Sequence, residues 1–164
     1  MPPIGTPTGS GRTLVRDLLG EAVTCAPSLT IAEVARLLLE RHQEAVVVLE
    51  EGHAVGMVSR DELVVAYVHP NRATLTAEDV MNEAIPRVRP DLPLAAAAQL
   101  MRDQGVRVLY VMPQRAGITY PAGMISYRQL LRHLAAQSDE ELSDLGINVV
   151  RAQAAHAPDD VPHA

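Results

Sequence analysis

Two stretches of the chain carry apolar residues at helical spacing, and the second stretch repeats the first. Ile31 to Leu38 and Leu94 to Met101 place apolar side chains at the i, i+3, i+4 and i+7 positions of one helix face. The stretches are 63 residues apart, and a short apolar run typical of a strand follows each, at Ala45 to Leu49 and Val108 to Met112. The pattern indicates an internal repeat of a small unit that contains both helices and strands.

The ends of the two repeats also match. The sequences GMVSRDEL, from Gly56 to Leu63, and GMISYRQL, from Gly123 to Leu130, correspond at a shift of 67 residues. The additional residues lie between Pro113 and Pro121 and predict a longer loop between two strands. Each repeat is predicted to run lead-in helix, short strand, helix, strand, strand, helix, which gives an α/β (α+β) fold.

Three predicted helix starts carry a capping box, in which a serine or threonine is followed three residues later by an acidic or amide side chain. The boxes are Thr30 with Glu33, Ser59 with Glu62, and Ser126 with Gln129. They predict where the central helix of the first repeat and the closing helices of both repeats begin.

Composition shifts along the chain predict its boundaries. The start is rich in Pro, Gly, Thr and Ser, and the end is rich in Ala, Asp, Pro and His, so both ends are expected to be disordered. The predicted organisation is a disordered N-terminus at 1–11, a first repeat at 12–69, a linker at 70–75, a second repeat at 76–136, and a short helix with a disordered tail at 137–164.

Composition also narrows the functional classes. The chain has no Trp or Phe, only four Tyr and a net charge of −6, which disfavours the aromatic stacking platform and the basic face of nucleic-acid binding proteins. Its single cysteine, Cys25, suits a reducing compartment, and no run approaches the roughly 20 apolar residues of a membrane span. We expect a cytoplasmic protein without a membrane partner, and the composition disfavours a nucleic-acid partner.

No pattern of catalytic or metal-binding residues is evident in the sequence. The six histidines form no H-x-x-x-H pair, and the phosphate-loop, G-x-S-x-G and dinucleotide-binding fingerprints are absent. We therefore expect no enzymatic activity, no metal site and no required cofactor.

Together, the two repeats resemble a tandem pair of CBS (cystathionine β-synthase) domains, or Bateman module, over about residues 13–135. The resemblance rests on VRDLL and AEDVM, which begin at Val15 and Ala77, on Pro27 and Pro90, on the AVVV-type strand, and on the GMVS and GMIS segments. It implies two β-α-β-β-α repeats related by a pseudo-twofold axis and clefts that bind AMP, ADP, ATP or S-adenosylmethionine. It also implies a disc-like homodimer that controls an unknown regulated protein.

The family's ligand signature, G-h-h-[ST]-x-x-D, is altered in both repeats. In the first repeat Ser59 is followed by Glu62, which keeps a carboxylate with a longer reach, and in the second Ser126 is followed by Gln129, an amide. The resemblance therefore favours Ser59 and Glu62 as the ligand site. The alternative is that these residues are only helix caps and that the pair is an assembly module without nucleotide binding.

Physical arguments also favour a site at the first closing helix. Gly56 and Gly123 lack side chains and are expected to let a ligand approach the backbone, and the helix N-terminus that follows is expected to form an anion hole for phosphate. The Glu62 carboxylate can accept hydrogen bonds from a ribose diol. Adenine is expected against Ala22 to Cys25 and Arg87 to Val88, where backbone amides would recognise it.

Two arginines are candidates for binding phosphate, because guanidinium pairs with phosphate in a bidentate manner. They are Arg60, beside Ser59, and Arg107, which could instead extend its guanidinium into solvent or pair with Asp103. The complete set of predicted ligand-binding residues is Val23, Thr24, Cys25, Met57, Val58, Ser59, Arg60, Glu62, Val88, Arg107, Ser126 and Gln129.

Overall fold

Helices and strands form where the apolar pattern predicts them. The computed structural model of the chain describes residues 13–136, so the predicted segments 1–11 and 137–164 lie outside the described residues. The helices are α1 (Ile31–Arg41), α2 (Arg60–Tyr67), α3 (Ala77–Val80), α4 (Leu94–Gln104) and α5 (Tyr127–Ala135). The strands are β1 (Thr24–Cys25), β2 (Ala45–Glu50), β3 (His53–Ser59), β4 (Val108–Val111), β5 (Gln114–Arg115), β6 (Ile118–Thr119) and β7 (Gly123–Ser126).

Two short 3-10 helices complete the described secondary structure. Val15–Asp17 precedes β1, and Arg72–Thr74 precedes α3 within the predicted linker. Among residues 13–136, no helix has the length and apolar character that crossing a membrane requires.

The described residues divide into two units that do not coincide with the two repeats. The large unit contains residues 21–88 and 106–124, and the small unit contains residues 13–20, 89–105 and 125–136. Ser126 and Gln129 belong to the small unit, and every other predicted ligand-binding residue belongs to the large unit.

The large unit contains a three-stranded sheet in the order β1-β2-β3. β1 runs parallel to β2, with Thr24 opposite Val47, and β2 runs antiparallel to β3, with Val47 opposite Met57. β1 is therefore an edge strand, and within residues 13–136 no strand pairs with its outer side. Two further sheets, β4-β7 and β5-β6, have two strands each.

Alternate residues of β2 enter two different apolar cores of the large unit. The first core consists of Val23, Val34, Leu38, Val46, Val48, Val58 and Ala77. The second core consists of Ala45, Val47, Met57, Val108, Tyr110 and Met124. Because side chains alternate across a strand, a strand that is buried on both faces is continuously apolar, as the AVVV run predicts. The second core contains residues of both repeats, so the first repeat does not bury its sheet alone.

The lead-in helices are exchanged between the repeats. In the small unit the 3-10 helix of the first repeat bonds to the second repeat, since the Val15 N–H donates to the Leu92 carbonyl (2.9 Å). In the large unit α3 of the second repeat bonds to the first repeat, since the Ala77 N–H donates to the Leu29 carbonyl (2.7 Å). The predicted order of elements is confirmed for the first repeat, and the structure adds that each lead-in helix is held by the other repeat.

Two segments differ from their predictions. The loop after β4 contains the β5–β6 hairpin, whose turn residues Ala116 and Gly117 have φ values of 52° and 79°, as a type I′ turn requires. The short strand predicted at Arg87 to Val88 is a single parallel bridge between Arg87 and Tyr110. The hairpin is a local pairing within the loop, whereas the segment at Arg87 depends on Tyr110, a partner 23 residues away in sequence.

Candidate ligand-binding site

The capping box at the start of α2 uses one oxygen of the Glu62 carboxylate. The Ser59 N–H donates to Glu62 Oε1 (2.7 Å), and the Ser59 hydroxyl donates to the same oxygen. Within residues 13–136, Glu62 Oε2 has no hydrogen-bond partner, and the Glu62 side chain is only partly buried. The predicted cap is confirmed, and it leaves one acceptor available for a ligand.

The anion hole predicted at the N-terminus of α2 is not formed. The Arg60 N–H donates to the Glu44 carbonyl (3.2 Å), and the Asp61 N–H donates to Ser59 Oγ (3.2 Å). The capping box also gives the Glu62 N–H an acceptor in the Ser59 side chain. The prediction was wrong because these donors already have acceptors, and because Asp61 and Glu62 bring negative charge to the first turn.

The start of α5 has the same kind of cap, but the side-chain group that the cap leaves unbonded is different. The Ser126 N–H donates to Gln129 Oε1 (2.9 Å), and the Arg128 N–H donates to Ser126 Oγ (3.2 Å). Ser126 is 2% exposed, and its hydroxyl also donates to Gln129 Oε1. The NH₂ group of Gln129 makes no hydrogen bond in this cap. An NH₂ group can donate hydrogen bonds but cannot accept them.

The space beside the Gly56 backbone is occupied by the segment at Met81 and Asn82 and is not open to a ligand. A Cβ atom at this position would lie 2.5 Å from Met81 Sδ and 3.1 Å from the Asn82 carbonyl oxygen. Asn82 pairs with the next residue of β3, since the Asn82 N–H donates to the Met57 carbonyl (2.8 Å). The expectation that a ligand approaches the backbone at Gly56 was therefore wrong, because Met81 fills that space.

The open edge of β1 presents the backbone of Thr24. The Val47 N–H donates to the Val23 carbonyl (3.0 Å), and Thr24 lies opposite Val47 in a parallel pair. In a parallel pair the residues on either side of Thr24 bond to β2, so the N–H and C=O of Thr24 point away from the sheet. Thr24 is exposed, and its amide groups form an adjacent donor and acceptor.

The bridge at Arg87 has the same geometry. The Tyr110 N–H donates to the Pro86 carbonyl (2.9 Å), and the Val88 N–H donates to the Tyr110 carbonyl (2.9 Å). Arg87 lies between these two bonds, so its own N–H and C=O also point away from β4. Arg87 corresponds to Thr24 at the repeat shift of 63 residues, and it too is exposed.

The two candidate phosphate-binding arginines differ in their contacts. Arg60 Nε donates to the Gln43 carbonyl (3.2 Å) and lies 3.6 Å from Glu44 Oε1, so its charge is partly neutralised. Arg107 is exposed and makes no hydrogen bond or ion pair within residues 13–136. Asp103, the alternative partner, accepts a hydrogen bond from Gln99 Nε2 (2.9 Å), so the predicted alternative pairing with Arg107 was wrong.

The comparison with protein-family models decides the family. A model described as the CBS domain matches residues 15–69 and residues 77–136, which together are more than half of the chain. The chain belongs to the CBS domain family. Both predicted repeats are therefore CBS repeats, and the tandem arrangement inferred from the internal repeat is confirmed.

Known relatives and solved structures agree with this result. An uncharacterised protein of Methanopyrus kandleri is 26% identical over 125 residues, which cover 74% of this chain and 64% of that protein, so the chain spans less than two thirds of its length. The CBS domain pair of protein MJ0100, solved in complex with 5′-methylthioadenosine and S-adenosyl-L-methionine, is 21% identical with a TM-score of 0.65 and covers 75% of this chain and 96% of that pair. The CBS-domain containing protein ATU1752 from Agrobacterium tumefaciens is 24% identical with a TM-score of 0.65, and the match covers 74% of this chain and 99% of that protein.

Four of the predicted ligand-binding residues are core residues of the CBS pair. Val23, Met57, Val58 and Val88 are buried. Their backbones are also engaged, since Val23 and Val88 hold the two edge segments and Met57 bonds to Asn82. Val23 and Val88 therefore position the open edges, whereas Met57 and Val58 pack in the two cores. The sequence pattern alone does not separate exposed edge residues from their buried neighbours.

Cys25 follows Thr24 on the edge strand of the first CBS repeat. Burial raises the pKa of the Cys25 thiol to about 11. The thiol therefore stays protonated near neutral pH, where it is a weak nucleophile and a small apolar side chain.

A groove of about 470 Å³ lies beside Glu62 in the large unit, between α2 and α3. Asp61, Glu62, His69 and Asp79 line it together with apolar side chains. His69 Nδ1 accepts a hydrogen bond from the Asn71 N–H (3.0 Å), so the proton of a neutral ring is on Nε2. No cluster of three or more His, Cys, Asp or Glu side chains that could hold a metal occurs in residues 13–136. The three carboxylates make this groove a poor place for phosphate.

Proposed function

We propose that this CBS pair is a regulatory module that binds an adenosine-containing ligand, of the class of AMP, ADP, ATP or S-adenosylmethionine, and performs no chemistry of its own. The observation that carries the proposal is the Glu62 carboxylate, which caps α2 with one oxygen and keeps the other free. A free carboxylate oxygen on a half-buried side chain is a strong acceptor for a ribose hydroxyl.

The open edges at Thr24 and Arg87 support the adenosine assignment. Adenine carries a ring-nitrogen acceptor next to an amino-group donor, and an outward-facing N–H and C=O on one residue form the complementary pair. The solved CBS pair of MJ0100 holds two adenosine compounds, 5′-methylthioadenosine and S-adenosyl-L-methionine. The same ligand class is the natural first candidate for this chain.

Regulation requires that the ligand favour one arrangement of the module over another. A ligand shifts such an equilibrium only by its difference in affinity for the two arrangements. A regulated protein, not identified by the sequence, would respond to the favoured arrangement. In this proposal the module senses adenosine ligands and a partner protein carries the output.

Calorimetric titration of the full chain with AMP, ADP, ATP and S-adenosylmethionine tests the proposal. We expect at least one ligand to bind, and Glu62→Ala to weaken that binding by roughly tenfold or more, because a charge-assisted hydrogen bond is lost. Gln129→Ala should weaken it less. Absence of binding by every adenosine ligand would overturn the proposal and favour an assembly role.

Exposed apolar side chains on α2 and at its C-terminal end favour self-association as a second function. Val64 is 70% exposed and Val68 is 81% exposed, and both line an apolar groove of about 570 Å³ between α1 and α2. An exposed apolar surface of this kind is typical of an interface, and twofold pairing is the commonest form of self-association. We expect light scattering to give a dimer mass at micromolar concentration and Val64→Glu to reduce it, whereas a monomer mass for the parent chain would contradict self-association.

A further inference from the structure

The two open edges differ in the side chain that each one carries. Thr24 and Arg87 occupy the same position in the two repeats, and the backbone of each points away from its sheet. The first edge therefore offers a hydroxyl beside its donor and acceptor, and the second edge offers a guanidinium. A base bound to either edge would lie next to that side chain, because the same residue supplies both groups.

The Arg87 guanidinium is not neutralised by the rest of the described structure. It makes no hydrogen bond or ion pair with any residue in 13–136 and is exposed. Two other arginines do have acidic partners. Arg89 Nη2 lies 2.8 Å from Asp91 Oδ2, and Arg60 Nε lies 3.6 Å from Glu44 Oε1. Arg87 thus keeps a full positive charge with five N–H donors, the arrangement that binds phosphate in a bidentate manner.

The helix N-terminus, the other usual source of phosphate-binding donors, is not available at α2. The first-turn N–H groups bond to the Glu44 carbonyl and to Ser59 Oγ, and two carboxylates lie on the same turn. Beside α2, positive charge for a phosphate must therefore come from side chains. Arg87 is the one that also belongs to an adenine-compatible edge.

We propose that Arg87 makes its edge selective for adenosine that carries a 5′-phosphate, whereas the Thr24 edge accepts adenosine without one. The inference rests on the proposed adenosine binding and adds the ligand class of one edge. Arg87 acts as a specificity-determining residue, since its backbone recognises the base and its side chain pairs with the phosphate.

Replacing Arg87 with the residue found at the equivalent position tests the inference. The parent chain and Arg87→Thr are titrated calorimetrically with AMP and with adenosine, and thermal unfolding checks that both chains are folded. We expect Arg87→Thr to weaken AMP binding by roughly tenfold and to leave adenosine binding within about twofold, because only the phosphate contact is lost. Arg89→Thr is the matched control, and since Arg89 is paired with Asp91, it should leave both affinities unchanged.

The outcomes separate this inference from the proposed function. If the parent chain binds adenosine and AMP but Arg87→Thr changes both affinities equally, or neither, the role of Arg87 is overturned and adenosine binding stands. If the parent chain binds neither compound, the inference fails, and the proposed function is decided separately by the titrations with ADP, ATP and S-adenosylmethionine. A Thr24→Arg variant provides the reciprocal test, and we expect its affinity for AMP to rise relative to its affinity for adenosine.

Discussion

The N-termini of α2 and α5 share a cap but differ in what the cap leaves free. In both helices the N-cap serine donates its N–H and its hydroxyl to one side-chain oxygen, of Glu62 in α2 and of Gln129 in α5. The remaining group is a carboxylate oxygen in α2 and an NH₂ group in α5. The free group of Glu62 can therefore accept hydrogen bonds, and the free group of Gln129 can only donate them.

This difference shows that Glu62 can cap α2 and still have an oxygen available for a ligand. The cap needs one oxygen, and an amide supplies it as well as a carboxylate does, as Gln129 demonstrates. The carboxylate of Glu62 is not required for the cap. The extra acceptor in the first repeat is therefore the feature that a functional explanation must address.

The largest effect is expected when the two repeats are separated by dividing the chain into 1–71 and 72–164. Each half would keep its own lead-in helix but lose the repeat that holds it, and the second core would be split. We expect neither half to show a cooperative thermal transition by circular dichroism, because neither buries a sufficient core. A sharp and independent transition in each half would contradict the shared-core account.

The substitution Gly56→Ala sharpens the comparison by separating stability from binding. The new methyl group would meet Met81 Sδ and the Asn82 carbonyl, so we expect a loss of about 1–3 kcal/mol in the free energy of unfolding, measured with urea. Because Gly56 faces Met81, ligand affinity should be unchanged in the folded protein. A loss of affinity without a loss of stability would return Gly56 to the ligand site.

The substitutions Ser59→Ala and Ser126→Ala test whether the two caps are equivalent. Each removes a side chain that accepts a first-turn N–H and donates to its capping partner. We expect each variant to lose about 1 kcal/mol in the free energy of unfolding, as is typical for an N-cap. A large loss for one serine and none for the other would contradict equivalent caps.

The sequence was sufficient to predict features that depend on neighbouring residues. The capping boxes at Thr30, Ser59 and Ser126 are confirmed, because a cap is made within one helical turn. The continuous apolar run of β2 is explained by burial on both faces, and the tandem CBS family is confirmed by the match to the family model.

Features that depend on distant residues could not be predicted. The donor at Arg60 is satisfied by Glu44, which precedes it by a whole hairpin, so the anion hole expected from local sequence is closed. Gly56 is required by Met81, which comes from the second lead-in segment. The exchange of lead-in helices is likewise a tertiary arrangement, and no local signal distinguishes it from packing within one repeat.

Calorimetric titration of Glu62→Gln beside the parent chain tests the central claim most directly. The variant keeps the capping oxygen and replaces the free acceptor with a donor, as in the second repeat. We expect an unchanged melting temperature and a roughly tenfold loss of affinity for the adenosine ligand that the parent chain binds best. An affinity equal to that of the parent chain, at the same melting temperature, would contradict the claim and leave Glu62 as a helix cap only.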